Sequence, residues 1–255
     1  MSAPSRGESG ERDATRAYYD EFSHTYEAQR RPSEPHGYHA LIDDLEIELT
    51  ARHGTARDVL ECGCGTGLLL ERIAHFARHA SGIDLSPCML DHARARGLDV
   101  REGSVTKLPF EDATFDVTCS FKVLAHVQDI GRALREMARV TRTGGVVLAE
   151  FYNPMSLRGL AKRFGPARKI SDATRESAVY TRFDAPWIIK RLLPPGLHLE
   201  TAMGVRILLP AAAVMRVPGL RDVMARVERF LAHSPAAVFG GFYVAVLRKS
   251  GPDGA

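Results

Sequence analysis

The stretch that most constrains this chain is Arg57–Gly67, which reads RDVLECGCGTG. Val59 and Leu60 form a short apolar run, Glu61 ends it, and glycines follow at Gly63, Gly65 and Gly67. A helical apolar pattern begins at Leu68. Such a pattern predicts a buried parallel strand that turns sharply into a helix. Glycine permits positive φ and lets a ligand approach the main chain where a Cβ would stand. The first turn of the helix adds backbone N–H groups that have no helical partner. The stretch therefore points to a nucleotide-like ligand at the end of the first strand.

The flanking sequence extends this into a fold. Residues 1–14 are polar and read as a disordered tail. Tyr18, Tyr19, Phe22 and Tyr26 predict a helix over Thr15–Arg31, and Leu41, Ile42, Leu45 and Leu49 predict another over His39–Leu49. Beyond the glycine turn, strands are expected at Ala80–Leu85, Leu98–Arg101, Phe115–Phe121 and Val146–Phe151. Helices fall between them at Leu68–Ala77, Ser86–Arg96 and Asp129–Thr141. Ser86-Pro87 is an N-cap followed by a first-turn proline, Gly97 is a stop, and Gly144-Gly145 is read as the stop of the third helix. The C-terminal third predicts helices at Met155–Phe164, Ala185–Leu193 and Leu220–Leu231, with strands at Leu197–Met203 and Phe239–Leu247. Strands alternating with helices imply an α/β fold, a doubly wound parallel sheet with helices on both faces.

Composition narrows the setting. The net charge is +3, with 34 basic against 31 acidic residues, so an anionic partner is permitted and not demanded. The longest apolar run, Ile207–Met215, is short and broken by Pro210, and the polar N-terminus lacks the apolar segment of a signal peptide. Cys62 and Cys64 lie inside the glycine turn with no second Cys/His pair at ligand spacing. With Cys88 and Cys119 they read as reduced thiols in a cytoplasmic protein without a metal site.

Asp84 ends the second expected strand, about 20 residues after the turn, where a carboxylate accepts the hydroxyls of an adenosine ribose. The glycine spacing is not GxGxxG, and no Gly-Lys-Ser/Thr follows to make a phosphate loop. Four stretches identify a family: LECGCGTG, GIDLSPCMLDHAR, GSVTKLPFEDATFDV and HVQDIGRALREMARVTRTGGVVLAE. Together they resemble the class I S-adenosylmethionine-dependent methyltransferases, in the branch that holds the menaquinone and ubiquinone methyltransferases. The resemblance runs from Tyr18 to about Tyr152.

The resemblance implies a Rossmann-like seven-stranded sheet in the order 3-2-1-4-5-7-6 with strand 7 antiparallel, and Phe239–Leu247 suits that strand. It implies S-adenosylmethionine as cofactor and S-adenosylhomocysteine as product. Glu61, Gly63, Cys64, Gly65 and Gly67 would surround the methionine part, and Asp84 would take the ribose hydroxyls. Leu85 and Met89 would flank the adenine, with Ser104, Val105 and Phe121 completing the pocket. Ser104 stands where the family usually carries an aspartate, and as a neutral acceptor it makes a weaker bond to the adenine amino group. Tyr18, Tyr26 and Arg31 match the family's lid helix, so residues 15–50 would form a lid on a methyltransferase domain over 51–250, with acceptor-pocket helices within 154–236.

Acceptor chemistry is less specified. His126, just past the fourth strand, is the candidate base for a hydroxyl acceptor. Lys122 is a candidate for meeting an anionic or phenolate-like acceptor, because a cation is repelled by a sulfonium and must turn elsewhere. Tyr152 and Asn153 are candidate substrate contacts. Asn153-Pro154 lacks the second proline and aromatic of the DNA adenine methyltransferases, and no aspartate pair suggests a catechol-type magnesium site. Met155–Lys169 sets Leu157, Leu160, Ala161 and Phe164 against Arg158, Lys162 and Arg163, a pattern that suits peripheral contact with an anionic membrane or a cover over the substrate pocket. The expected acceptor is a small or lipid-like organic molecule, methylated at oxygen without a metal. The alternatives are an RNA methyltransferase, for which no added basic or aromatic module is visible, and a binding protein without turnover.

Overall fold

The computed structural model describes residues 6–30, 37–156, 180–208 and 219–251. Its centre is β1 (Asp58–Cys62), in which Val59, Leu60, Glu61 and Cys62 are all buried. A strand covered on both faces belongs in the middle of a parallel sheet. β1 lies between β2 (His79–Asp84) and β4 (Phe115–Ser120), parallel to both. β3 (Asp99–Glu102) extends one side and β5 (Thr141–Tyr152) the other, again parallel. β7 (Phe242–Lys249) runs antiparallel between β5 and β6 (Leu197–Val205). The order is β3-β2-β1-β4-β5-β7-β6, as the family resemblance implied.

Alternation along the strands builds two cores. Leu60, Cys62, Val147, Ala149 and Phe151 pack with Ile130, Ala133, Leu134, Met137 and Val140 of α5 (Ile130–Val140). Val59, Val117, Cys119, Val146 and Leu148 face the other way, against Ile42, Leu45 and Leu49 of α2 (Tyr38–Gly54) and Leu69 and Ile73 of α3 (Leu68–Ala74). α4 (Pro87–Ala95) packs beside β2 and β3, and the long α1 (Arg6–Arg30) lies along α4. α6 (Pro186–Leu192) adds Ile189 to the α5 side, and α7 (Leu220–Ala232) adds Ala232 to the α2 side. Among the described residues, no helix is long and apolar enough to cross a membrane.

Three expectations change. The tail expected over residues 1–14 is helical from Arg6, because extending a helix already started at its packed turns costs little when Arg, Glu and Ala predominate. The third crossover helix ends at Val140, and Gly144-Gly145 lies inside β5 as an irregularity, with Phe115 facing Thr141 but Val117 facing Val146. Gly144 adopts φ 77 there, and a Cβ on Gly145 would come within 2.7 Å of the Asp116 carbonyl. The last strand begins at Phe242, since Pro235–Phe239 forms a short 3₁₀ turn. Arg31, and all but the first two residues of the basic helix expected over Met155–Phe164, lie outside the described residues.

The sheet order reverses at β1/β4, so the carboxyl ends of β2, β1, β4 and β5 open onto one crevice. The antiparallel β7 returns its first residue to the same end: Phe242 pairs with Tyr152 of β5 and Val205 of β6.

Candidate active site

The glycine turn is held on β2. Gly63 and Cys64 both donate to the Ile83 carbonyl, at 2.7 and 2.9 Å, and Gly67 donates to Cys64. Gly65 donates to Oδ2 of Asp84 at 2.9 Å. These N–H groups are thus used within the protein, and the seven-residue α3 is too short to add an anion site. Openness is what the turn offers. A Cβ on Gly65 would meet nothing within 4 Å, whereas one on Gly63 would strike Val123 and one on Gly67 would strike Leu98.

Asp84 is half-buried, with Oδ2 accepting from Gly65 and Oδ1 from the Ser86 N–H at 2.9 Å. Burial raises its pKa and these backbone donors oppose the rise. Each carboxylate oxygen keeps lone pairs for further donors. Ser86 caps α4 through the Met89 N–H and donates its hydroxyl to Asp20 of α1. α1 is tied down again by Arg16 to Glu102 at 3.0 Å and by Arg96 to Glu27. Of the tyrosines on α1, Tyr19 lies beside Asp84, and burial together with that carboxylate pushes its phenol upward. Tyr18 stacks on Phe22 at a ring centroid distance of 5.8 Å, and Tyr26 meets Phe22 edge to face at 5.5 Å. Tyr19 carried no signal in the sequence that separated it from the other aromatic residues of the same helix.

Several expected cofactor residues serve packing. Cys64, Met89, Val105 and Phe121 are buried, and Cys64 sits in a core with Leu70 and Leu90. Leu85 is partly exposed beside Asp84. The Ser104 hydroxyl pairs with Thr106 Oγ1 at 2.8 Å.

Beneath the turn lies a buried group of acids. Glu61 and Glu150 are fully enclosed, and among the described residues Oε2 of each has no hydrogen-bond partner. Burial raises both carboxyls well above the usual range, the nearby Glu46 adds to this, and Lys122 opposes it. Lys122, the candidate for meeting an anionic acceptor, is engaged by α2. Its ammonium donates to Glu46 at 2.6 Å and Asp43 at 3.1 Å, both on α2. Its own N–H donates to Glu150 Oε1 at 3.0 Å, from a backbone at φ 60.

Past the carboxyl end of β4 and at that of β5 lie His126 and Tyr152, the candidate acceptor residues, whose rings meet edge to face at 5.7 Å. His126 Nδ1 lies 3.0 Å from the Tyr180 carbonyl and 3.3 Å from Thr181 Oγ1. A carbonyl can only accept, so Nδ1 carries the proton and Nε2 is the basic nitrogen. Arg182 N–H donates to Ala125, and its guanidinium pairs with Asp184, so residues 180–184 are laid across this edge. Asn153 is taken up by the fold. Its amide donates to the Val238 and Gly240 carbonyls at 2.7 and 2.9 Å, and its Oδ1 accepts from Met155 N–H.

The arrangement combines a main-chain approach at Gly65, a ribose-type acid at Asp84 and an orphaned buried carboxyl oxygen at Glu61. That donor set suits a ligand with vicinal hydroxyls and a cationic end. Comparison with known proteins agrees. Residues 60–149 match a family model described as a methyltransferase domain. A "probable S-adenosylmethionine-dependent methyltransferase" of Mycolicibacterium smegmatis is 32% identical over 195 residues, covering 75% of this chain and 72% of its own. The malonyl-[acyl-carrier protein] O-methyltransferase of Erwinia billingiae is 32% identical over 184 residues, covering 68% of this chain and 67% of its own. A Thermotoga maritima structure, described as an S-adenosylmethionine-dependent methyltransferase and possible histamine N-methyltransferase, superposes with a TM-score of 0.62. It is 18% identical, and the match covers 92% of this chain and 99% of that one. This chain belongs to the class I S-adenosylmethionine-dependent methyltransferases.

Proposed function

We propose that the enzyme methylates a hydroxyl oxygen of a small or lipid-like organic acceptor in the cytoplasm, with His126 as the base. The observation that carries this reading is the pinning of His126 Nδ1 by the Tyr180 carbonyl, which makes Nε2 the nitrogen able to take a proton. When bound, S-adenosylmethionine supplies a methyl group already activated on a sulfonium, so the protein has to align, shield and deprotonate. Asp84 would hold the ribose hydroxyls, its orientation set by the Gly65 and Ser86 N–H groups. Glu61 would face the cationic end of the cofactor, and α1 would cover it. His126 holds the proton released by the acceptor, and Tyr152 packs on the imidazole edge and keeps it in place. The O-methyltransferase among the relatives supports an oxygen acceptor.

The test is S-adenosylhomocysteine release from a panel of phenols, alcohols and amines, with His126→Ala beside the wild type. The variant should lose about 10²–10⁴-fold in kcat and keep its cofactor affinity by calorimetry. Full turnover by the variant on a hydroxyl acceptor would remove His126 from the chemistry.

A further inference from the structure

With Lys122 held by Asp43 and Glu46, the acceptor crevice needs another source of positive charge if it takes an anion. Arg206 follows directly on β6, at the end of the sheet where Phe242 and Tyr152 lie. Its guanidinium is placed between two aromatic rings, 5.4 Å from the centroid of Tyr38 and 5.0 Å from that of Phe242. Phe242 in turn packs on Tyr152 at 5.2 Å, and Tyr152 on His126. The cation is therefore joined to the proposed base by continuous aromatic contact.

Two features show that this placement is not incidental. Arg206 adopts φ 63, a backbone region in which glycine or asparagine is less strained. The Gly241 N–H holds it there by donating to the Arg206 carbonyl at 3.2 Å. A strained residue kept at such a position points to a use for its side chain. In addition, among the described residues the buried Nε has no hydrogen-bond partner and no carboxylate pairs with Arg206. Glu228, which lies alongside, is spent on the Ile207 and Leu208 N–H groups at 2.6 and 3.0 Å.

The Tyr38 and Phe242 rings both lie against the guanidinium, so its capacity for directional recognition lies in its N–H groups. Those groups match the paired oxygens of a carboxylate or phosphate. We infer that Arg206, clamped by Tyr38 and Phe242, is the specificity determinant for an acceptor bearing an oxyanion group, a carboxylate or a phosphate ester, apart from the atom that is methylated. The inference rests on the methyltransferase reading of the crevice.

The test uses enzyme saturated with S-adenosylhomocysteine, titrated calorimetrically with 4-hydroxybenzoate, phenyl phosphate and the neutral 4-hydroxybenzamide. At least one of the two anions should bind about tenfold or more tighter than the amide, and whichever does so identifies the oxyanion. Arg206→Asn tolerates positive φ, so it should keep the wild-type melting temperature and lose the preference, while Arg206→Lys should keep part of it. Equal binding of all three, binding of none, or a preference that survives in Arg206→Asn would overturn the inference. Titration with S-adenosylhomocysteine alone separates the two levels. If that binds and the anion preference is missing, only the role of Arg206 falls. If it does not bind, the reading of the crevice falls with it.

Discussion

Gly63, Gly65 and Gly67 share a spacing and a positive φ, of 79, 54 and 85, yet each answers to a different neighbour. A methyl group on Gly63 would come within 2.2 Å of Val123, so Gly63→Ala should cost about 2–5 kcal/mol from backbone strain and overpacking together. Gly65→Ala meets no protein atom and should cost only about 1–2 kcal/mol in thermal melts, while calorimetry shows cofactor affinity lost. Retained affinity in that variant would mean the ligand does not approach the main chain there. The buried glutamates give a second prediction. Burial holds their folded pKa values well above the ordinary glutamate value of 4.5, so the stability they contribute is complete below about that pH and is lost as pH rises through the folded values. The fall in melting temperature from about pH 5 to about pH 8 should therefore be shallower in Glu150→Gln. Equal slopes in the two proteins would show that Glu150 is already ionised.

Helices α1 and α2 both act at the crevice. α1 is fastened from outside by Arg96, which also donates to the Thr66 carbonyl and pairs with Glu71. These pairs are partly exposed, so each is worth about 0.2–1 kcal/mol, enough to hold one helix in place and too little to hold a fold. Arg96→Ala should speed hydrogen exchange along α1 and cofactor dissociation and leave the melting temperature nearly unchanged. A protected α1 in the variant would show that its apolar face alone keeps it closed. α2 brings Tyr38 to Arg206 and Asp43 and Glu46 to Lys122. Its helical character was legible from Leu41, Ile42, Leu45 and Leu49, but its charged contacts were not, because helical spacing identifies a buried face and says nothing of what that face meets. Gly144-Gly145 misled for a related reason: glycine marks both a helix stop and a strand irregularity, and only pairing with β4 distinguishes them.

Across the whole molecule, Asn153 joins the end of β5 to the turn that precedes β7, and so helps seat the one antiparallel strand between β5 and β6. Asn153→Ala removes the donor to the buried Gly240 carbonyl and to the partly buried Val238 carbonyl, and should lower stability by about 1–3 kcal/mol in chemical unfolding, with cofactor affinity intact in the folded fraction. An unchanged midpoint would show that the turn holds itself. Sequence by itself determined the alternation of strands and helices, the strand order through the family resemblance, and the positions of the glycine turn and Asp84. The alternation, the turn and Asp84 are features of local spacing, encoded by apolar periodicity and glycine punctuation within a few residues, whereas the strand order came only with the resemblance. Only the tertiary structure decided that Lys122 is bound by an α2 carboxylate 76 residues away, that Asn153 serves the fold, and that Arg206 stands between two rings. Charge pairing and aromatic stacking depend on side chains brought together from distant parts of the chain, so no spacing within the sequence records them.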